Sequence, residues 1–370
     1  MRQRENPLVR LGELGQSPWY DYITRDLVLS GELDRLIQED GLRGMTSNPT
    51  IFDKAIAESR SYDDEIRRLS EQGKVAAEIF ESLAVADVRA ACDRFAQLYR
   101  SSDGSDGQVS LEVSPGLAHD TAGTTQEAQR LWHAVDRPNV MIKIPGTKAG
   151  LPAITESLAA GISVNVTLLF SVERYAEVIE AFLQGLERRR QQGLPIRPVA
   201  SVASFFVSRV DSKVDPLLDR LGDPSGLRGK IAIANACAAY RLFEWSLSAP
   251  RWDRLAKAGA RPQRPLWAST STKDPKYPDV HYVEPLVGPR TVNTLPPETF
   301  AAYRDHGKPA VRIQDGVAVA PAQLKMLAQS GIDLAMVTRE LEDEGVAKFA
   351  ASHASLLAGI EAKAGALAGR

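Results

Sequence analysis

The sequence predicts an α/β fold, a (β/α)8 TIM barrel with additional helices. Two patterns predict it. Eight short β-like runs recur along the 370 residues, and segments with apolar residues three and four apart stand between them. Strands that alternate with helices pair in parallel, because parallel pairing needs a long crossover, and eight such units close a barrel. A doubly wound open sheet would show the same alternation, since periodicity does not register closure. The third observation concerns the strands themselves. Barrel strands are covered on both faces and should read as nearly all apolar, yet several runs carry polar residues at alternate positions.

In chain order, "PWYDYI" is the first run, and the amphipathic "SGELDRLIQED" follows it. The second is "LRGMTSN". Between Asn48 and Glu112 there is room for extra helices, of which "ADVRAACDRFAQLYR" is one, and the loop "RSSDGSDGQ" leads into the third run, "VSLEVSP". "AHDTAGTTQEAQRLWHAV" connects to the fourth, "VMIKIPG", and the fifth, "SVNVTLLF", precedes the helical "SVERYAEVIEAFLQGLERRR". The sixth is "PVASVASFF", followed by "GKIAIANACAAYRLFEWSL". The basic stretch "APRWDRLAKAGARPQRP" reads as a solvated helix and linker, ahead of "PLWASTS" and "TVNTLP". From "PAQLKMLAQSG" to Arg370 the chain is Ala-rich and helical. That tail is expected to pack on the barrel's outside or to serve an oligomer contact, so a homodimer is a candidate state. One domain over 1–370 is expected, with a core of about 17–300 and a helical extension at 301–370.

Composition bounds the function. Net charge is -2, with 44% hydrophobic and 25% charged residues, which is ordinary for a globular enzyme and leaves no basic footprint for nucleic acid. No run nears the roughly 20 apolar residues of a membrane span, and "MRQRENPLVR" lacks the apolar core of a signal peptide. Cys92 and Cys237, the two cysteines, are expected to be buried free thiols, which suits a reducing cytoplasm. "NVT" at Asn165 matches a glycosylation sequon but falls in an expected inner strand. The five histidines show no ligand spacing for zinc.

The polar parities point inward. Ser163, Asn165 and Thr167 share one face of their strand, with Val164, Val166 and Leu168 on the other, toward the helices. Ser110, Glu112 and Ser114 form a second such set, and Gly44, Thr46 and Asn48 a third. A buried polar group is costly without partners, so several strands doing this together predict a polar cavity. Its mouth lies at the strands' C-terminal ends. Lys143 shares the inward parity of Met141. One reading makes it the partner of an acid. The other makes it a nucleophile: burial disfavours an ammonium, and a neutral amine attacks a carbonyl to give a Schiff base. Proton transfer would then fall to Asp21 and Glu112.

Together "SPWYDYITRDL", "GLRGMTSNPTIFDKAI", "VSLEVSP", "IKIPGT", "SVNVTLLFS" and "WASTSTKDPKYPDVHYVEPLVGPRTVNTLP" resemble the transaldolase family, in its longer bacterial subgroup, from about Ser17 to Pro297. The resemblance implies a class I aldolase barrel with Lys143 as the Schiff-base lysine and Asp21 as the base for the ketose C4 hydroxyl. It implies that Glu112 and Thr167 hold the water of imine formation and hydrolysis. Asn48 and Asn165 would bind the dihydroxyacetone unit and Ser204 its terminal hydroxyl, with Phe206 lining the pocket and Arg209 binding phosphate. Many members carry a phosphate-binding arginine two residues after a serine on the seventh strand. Here Ser269 is followed by Thr270 and Ser271, and Lys273 stands just beyond as a replacement point charge.

The implied reaction transfers a dihydroxyacetone unit from sedoheptulose 7-phosphate to glyceraldehyde 3-phosphate, so the partners are small sugar phosphates, and no metal or organic cofactor is implied. Two other functions compete with it. One is a lyase that releases free dihydroxyacetone from fructose 6-phosphate. Lyase relatives tend to carry tyrosine where Phe206 stands. The other is an inactive sugar-phosphate-binding barrel, from which some of the lysine, acids or amides should be missing.

Overall fold

The computed structural model describes residues 6–223 and 226–368. The expected domain limits at 1 and 370 lie outside the described residues. Eight parallel strands close a barrel in sequence order: β1 (Gln16–Asp21), β2 (Gly44–Thr46), β3 (Gln108–Glu112), β4 (Val140–Pro145), β5 (Val164–Leu169), β6 (Ser201–Phe206), β7 (Arg264–Ala268) and β8 (Thr291–Leu295). Each of the eight runs read from the sequence overlaps one of them, with β1, β3 and β7 starting one or two residues earlier than the runs, and the open sheet is excluded because β8 pairs with β1.

The helices follow in chain order. α1 (Pro7–Glu13) precedes the barrel, and α2 (Arg25–Leu29) and α3 (Glu32–Glu39) follow β1. Three more fill the long β2–β3 connection: α4 (Pro49–Glu58), α5 (Asp63–Glu71) and α6 (Ala76–Ser101). Single helices α7 (Thr121–Val135), α8 (Gly150–Ala160) and α9 (Val172–Gln191) cross back after β3, β4 and β5. α10 (Ser208–Arg220), α11 (Ile231–Leu247) and α12 (Pro250–Lys257) separate β6 from β7. α13 (Pro297–His306), α14 (Ile313–Gln329) and α15 (Leu334–Ala368) close the chain.

The outward parity of the strands makes the core. Val109, Leu111, Val140, Ile142, Val164 and Val166 are all buried, as expected where helices cover a parallel sheet. Trp19 takes an inward position at full burial. Gly44 makes room for it, since a Cβ there would stand 2.5 Å from the indole. Below Trp19 the barrel is closed by charge: Ser17 Oγ donates to Asp106 at 2.6 Å, Arg43 pairs with Asp106 at 2.9 Å, and Arg264 donates to Ser17 at 2.8 Å. This corrects the solvated reading of "APRWDRLAKAGARPQRP". Its Arg264 opens β7 and reaches under the barrel, and α12 buries Trp252 and Leu255.

Two further corrections concern the barrel mouth. The alternation of β5 breaks at Leu168, a non-glycine residue at φ 60°, where the pairing of β5 with β6 also shifts register. Leu168 therefore does not join Val164 and Val166 against the helices but meets α15 at Gly345. The tail, for its part, does not stay on the barrel's outside. α15 packs on α4, α5, α6 and α10 and on the end of β5, so it crosses the mouth.

Candidate active site

Strand register assembles the site before any side chain is considered. Glu112 pairs with Lys143 across β3–β4, and Lys143 with Asn165 across β4–β5, so the three share one level of the barrel. Asp21 pairs with Thr46 across β1–β2. All have the inward parity and lie near the C-terminal ends of their strands, where barrel chemistry is placed.

Lys143 is 4% exposed. Its Nζ donates to the Ser47 carbonyl at 3.1 Å and stands 3.2 Å from Glu112 Oε2. The ring of Phe349, from α15, lies 5.6 Å away. The acid partner of the first sequence reading is thus present. An ion pair and a nucleophile are not exclusive, however, because the same acid that pairs with an ammonium accepts its proton. Asp21 accepts from Thr46 Oγ1 at 2.7 Å. Burial pushes the Asp21 and Glu112 carboxyls up from their ordinary values, against the pull of Lys143. A carboxylate raised in this way is a better base when ionised.

A cavity of about 390 Å³ opens above this level. Asp21, Asn48, Lys143, Thr167, Ser204 and Phe206 line its inner part. Arg209, Ser269 and Lys273 line it further out. Thr167 Oγ1 is buried without a protein hydrogen-bond partner. Asn48 caps α4, its Oδ1 accepting from Ile51 N at 3.1 Å, and its Nδ2 makes no hydrogen bond among the described residues. Arg209 stacks on Phe206, its guanidinium 5.0 Å from the ring centre. Lys273 donates to Ser271 Oγ at 2.6 Å.

Two expected residues differ from the sequence reading in their placement. Asn165 is fully buried beneath the cavity, its amide donating to Ser110 Oγ at 3.0 Å and accepting from Ser204 Oγ at 2.7 Å. Glu112 reaches Lys143 from beside the cavity, where it faces a smaller apolar pocket of about 210 Å³ with Phe80, Glu127 and His353. Reading the sequence missed Lys54, Glu298, Lys348 and Phe349, all of which line the main cavity. Lys54 lies inside the quoted "GLRGMTSNPTIFDKAI". Lys348 and Phe349 had no local signal, because only the path of α15 brings them in.

Cys92 and Cys237 are both free and buried. No helix among the described residues is long and apolar enough to cross a membrane.

Comparison with known proteins gives a consistent picture. The family model for transaldolase/fructose-6-phosphate aldolase matches residues 18–360. A transaldolase of Parafrankia sp. is 51% identical over 98% of this chain and 99% of its own. One from Acidothermus cellulolyticus is 51% identical over 96% of each chain. Transaldolase 2 of Nostoc sp. is 47% identical over 97% of each.

Proposed function

The chain belongs to the transaldolase/fructose-6-phosphate aldolase family, and from that premise we propose that it is a transaldolase working through a Schiff base on Lys143. The reaction moves a dihydroxyacetone unit from sedoheptulose 7-phosphate to glyceraldehyde 3-phosphate, giving erythrose 4-phosphate and fructose 6-phosphate. The observation that carries the reading is a sheltered amine within reach of one carboxylate, in a cavity shared with a second.

In the proposed sequence, Glu112 takes a proton from Lys143, and the neutral amine adds to the ketose carbonyl. Loss of water leaves an iminium, with Glu112 and Thr167 handling that water. The partnerless hydroxyl of Thr167 supports its part in this. Asp21 takes the proton of the C4 hydroxyl, the C3–C4 bond breaks, and its electrons pass into the iminium as an enamine. The aldose phosphate leaves, the acceptor aldehyde enters, and the steps reverse. Asn48 and Ser204 bind the dihydroxyacetone unit, and Asn165 acts through Ser204, to which its amide is bonded. Arg209 and Lys273 bind phosphate. Arg209 stands in the first turn of α10, whose N-terminal dipole also favours an anion. Phe206 keeps the reaction on transfer rather than release, since a phenyl ring has no proton to give the enamine.

Further parts of this reading are a cytoplasmic protein, for which the two free thiols speak, a homodimer, and one domain in which the core at about 17–300 and the extension at 301–370 act together.

Intact-mass measurement after borohydride reduction with fructose 6-phosphate tests the reading. A dihydroxyacetone-sized adduct should map to Lys143 alone, and Lys143→Met should lose both adduct and turnover while keeping its far-ultraviolet spectrum. An adduct that survives in Lys143→Met, or maps to Lys148, would remove Lys143 from the mechanism.

A further inference from the structure

The main cavity carries more positive charge than the proposed chemistry uses. Lys54, Arg209, Lys273 and Lys348 line it in addition to Lys143, against the carboxylates of Asp21 and Glu298. Lys143 is balanced by Glu112. Of the other four cations only Lys273 makes a hydrogen bond among the described residues, and its partner is the neutral Ser271. Like charges gathered around one partly enclosed space repel one another unless an anion sits between them.

Lys348 is singled out by its helix. Glu344 stands four residues earlier on α15, the spacing at which an acid and a lysine pair along a helix. Glu344 instead binds Lys213 of α10, so Lys348 keeps its charge for the cavity rim. Its position is fixed by the next residue, Phe349, which is buried over Lys143. The Lys348 charge is also felt within the site. Burial lowers the Lys273 pKa, Glu298 opposes this, and Arg209 and Lys348 push it down further.

We propose that Lys348 is a phosphate-binding, specificity-determining residue, so that α15 supplies part of the substrate site. This rests on the transaldolase reading, whose two aldose phosphates differ by one carbon between the bond made or broken and the phosphate. A compact ammonium on a flexible four-carbon stem follows such a shift more readily than a fixed guanidinium fork. Arg209, stacked on Phe206, is the fixed member of the set.

The test compares glyceraldehyde 3-phosphate with unphosphorylated glyceraldehyde as acceptors, at saturating sedoheptulose 7-phosphate, with release of erythrose 4-phosphate as the readout. Lys348→Met should lower the ratio of their kcat/KM values by about 10- to 100-fold, the usual worth of a hydrogen bond to a charged group. The loss should appear in KM rather than kcat, as for uniform binding. It should come with weaker competitive inhibition by inorganic phosphate. Lys348→Arg should recover most of the ratio. An unchanged ratio overturns the assignment, and so does an equal loss with both acceptors, which would mean that the lysine only seats the helix. Borohydride trapping on Lys143 is read separately in the same proteins. Its absence from the wild type would sink the Schiff-base reading while the acceptor ratio still reported on Lys348.

Discussion

Phe206 shows how much one side chain decides. Its ring is held between Phe170, 5.1 Å away and tilted, and the guanidinium of Arg209. A residue so packed lines the cavity without offering a proton. In the proposed mechanism Phe206 adds no proton donor to the wall beside the enamine, which helps it survive until the acceptor arrives. Phe206→Tyr would add a phenol at that wall. Release of free dihydroxyacetone relative to transfer should then rise by on the order of 10-fold or more, within the range that a positioned proton donor supplies. Measuring free dihydroxyacetone and sedoheptulose 7-phosphate formed from fructose 6-phosphate and erythrose 4-phosphate checks this, and equal ratios in the two proteins would show that the ring is a spacer only.

At the scale of elements, helix ends are tied to one another by buried acids. Asp211 on α10 accepts from Ala232 N at 2.7 Å, in the first turn of α11, and from the Tyr282 hydroxyl at 3.1 Å. Asp215, one turn later, accepts from Gly229 N at 3.0 Å and from the Tyr277 hydroxyl at 2.7 Å. Burial pushes the Asp211 carboxyl up to about 7, outweighing the hydrogen bonds that favour its charge. A carboxyl raised on folding stabilises the protein fully below its unfolded pKa, and that contribution is lost as pH rises through the folded value. Asp21 and Glu112 are shifted in the same direction and act with the same sign. Wild-type stability should therefore fall between pH 5 and pH 8. Asp211→Asn should narrow the difference by about 1–3 kcal/mol, since each pKa unit is worth about 1.4 kcal/mol. Denaturant titrations at the two pH values measure it, and an identical difference in both proteins would show that Asp211 stays in one charge state.

Across the whole molecule, the barrel and its last helix form one site. Gly345 is the point of close approach in that arrangement, because a Cβ there would stand 3.0 Å from Leu168 Cδ2. Gly345, Lys348 and Phe349 lie at i, i+3 and i+4, on one face of α15. Gly345→Val would lift that face from the end of β5. Overpacking of this kind costs about 1–3 kcal/mol. Moving Phe349 and Lys348 by about 1 Å should lower kcat/KM by roughly 10²-fold, with the barrel's circular dichroism unchanged. Full activity in this variant would mean that α15 covers the mouth without taking part in catalysis.

The sequence by itself determined the strands, their order and the inward set. The reason is that alternation along a buried strand is a local property: Glu112, Lys143, Asn165 and Thr167 could be placed on one parity from their own neighbours in the chain. That Glu112, Lys143 and Asn165 meet on one level, with Thr167 two residues above, follows from parallel pairing together with its register. Local pattern failed where a long-range contact took over. Arg264 looks like part of a solvated basic stretch until the barrel base brings Asp106 and Ser17 to it. Leu168 keeps the apolar parity until a left-handed backbone turns it to α15. Lys348 and Phe349 read as one more turn of an Ala-rich helix, because a helix's periodicity records which face is apolar and not what that face will cover. Only the tertiary structure decided that this face would close over Lys143.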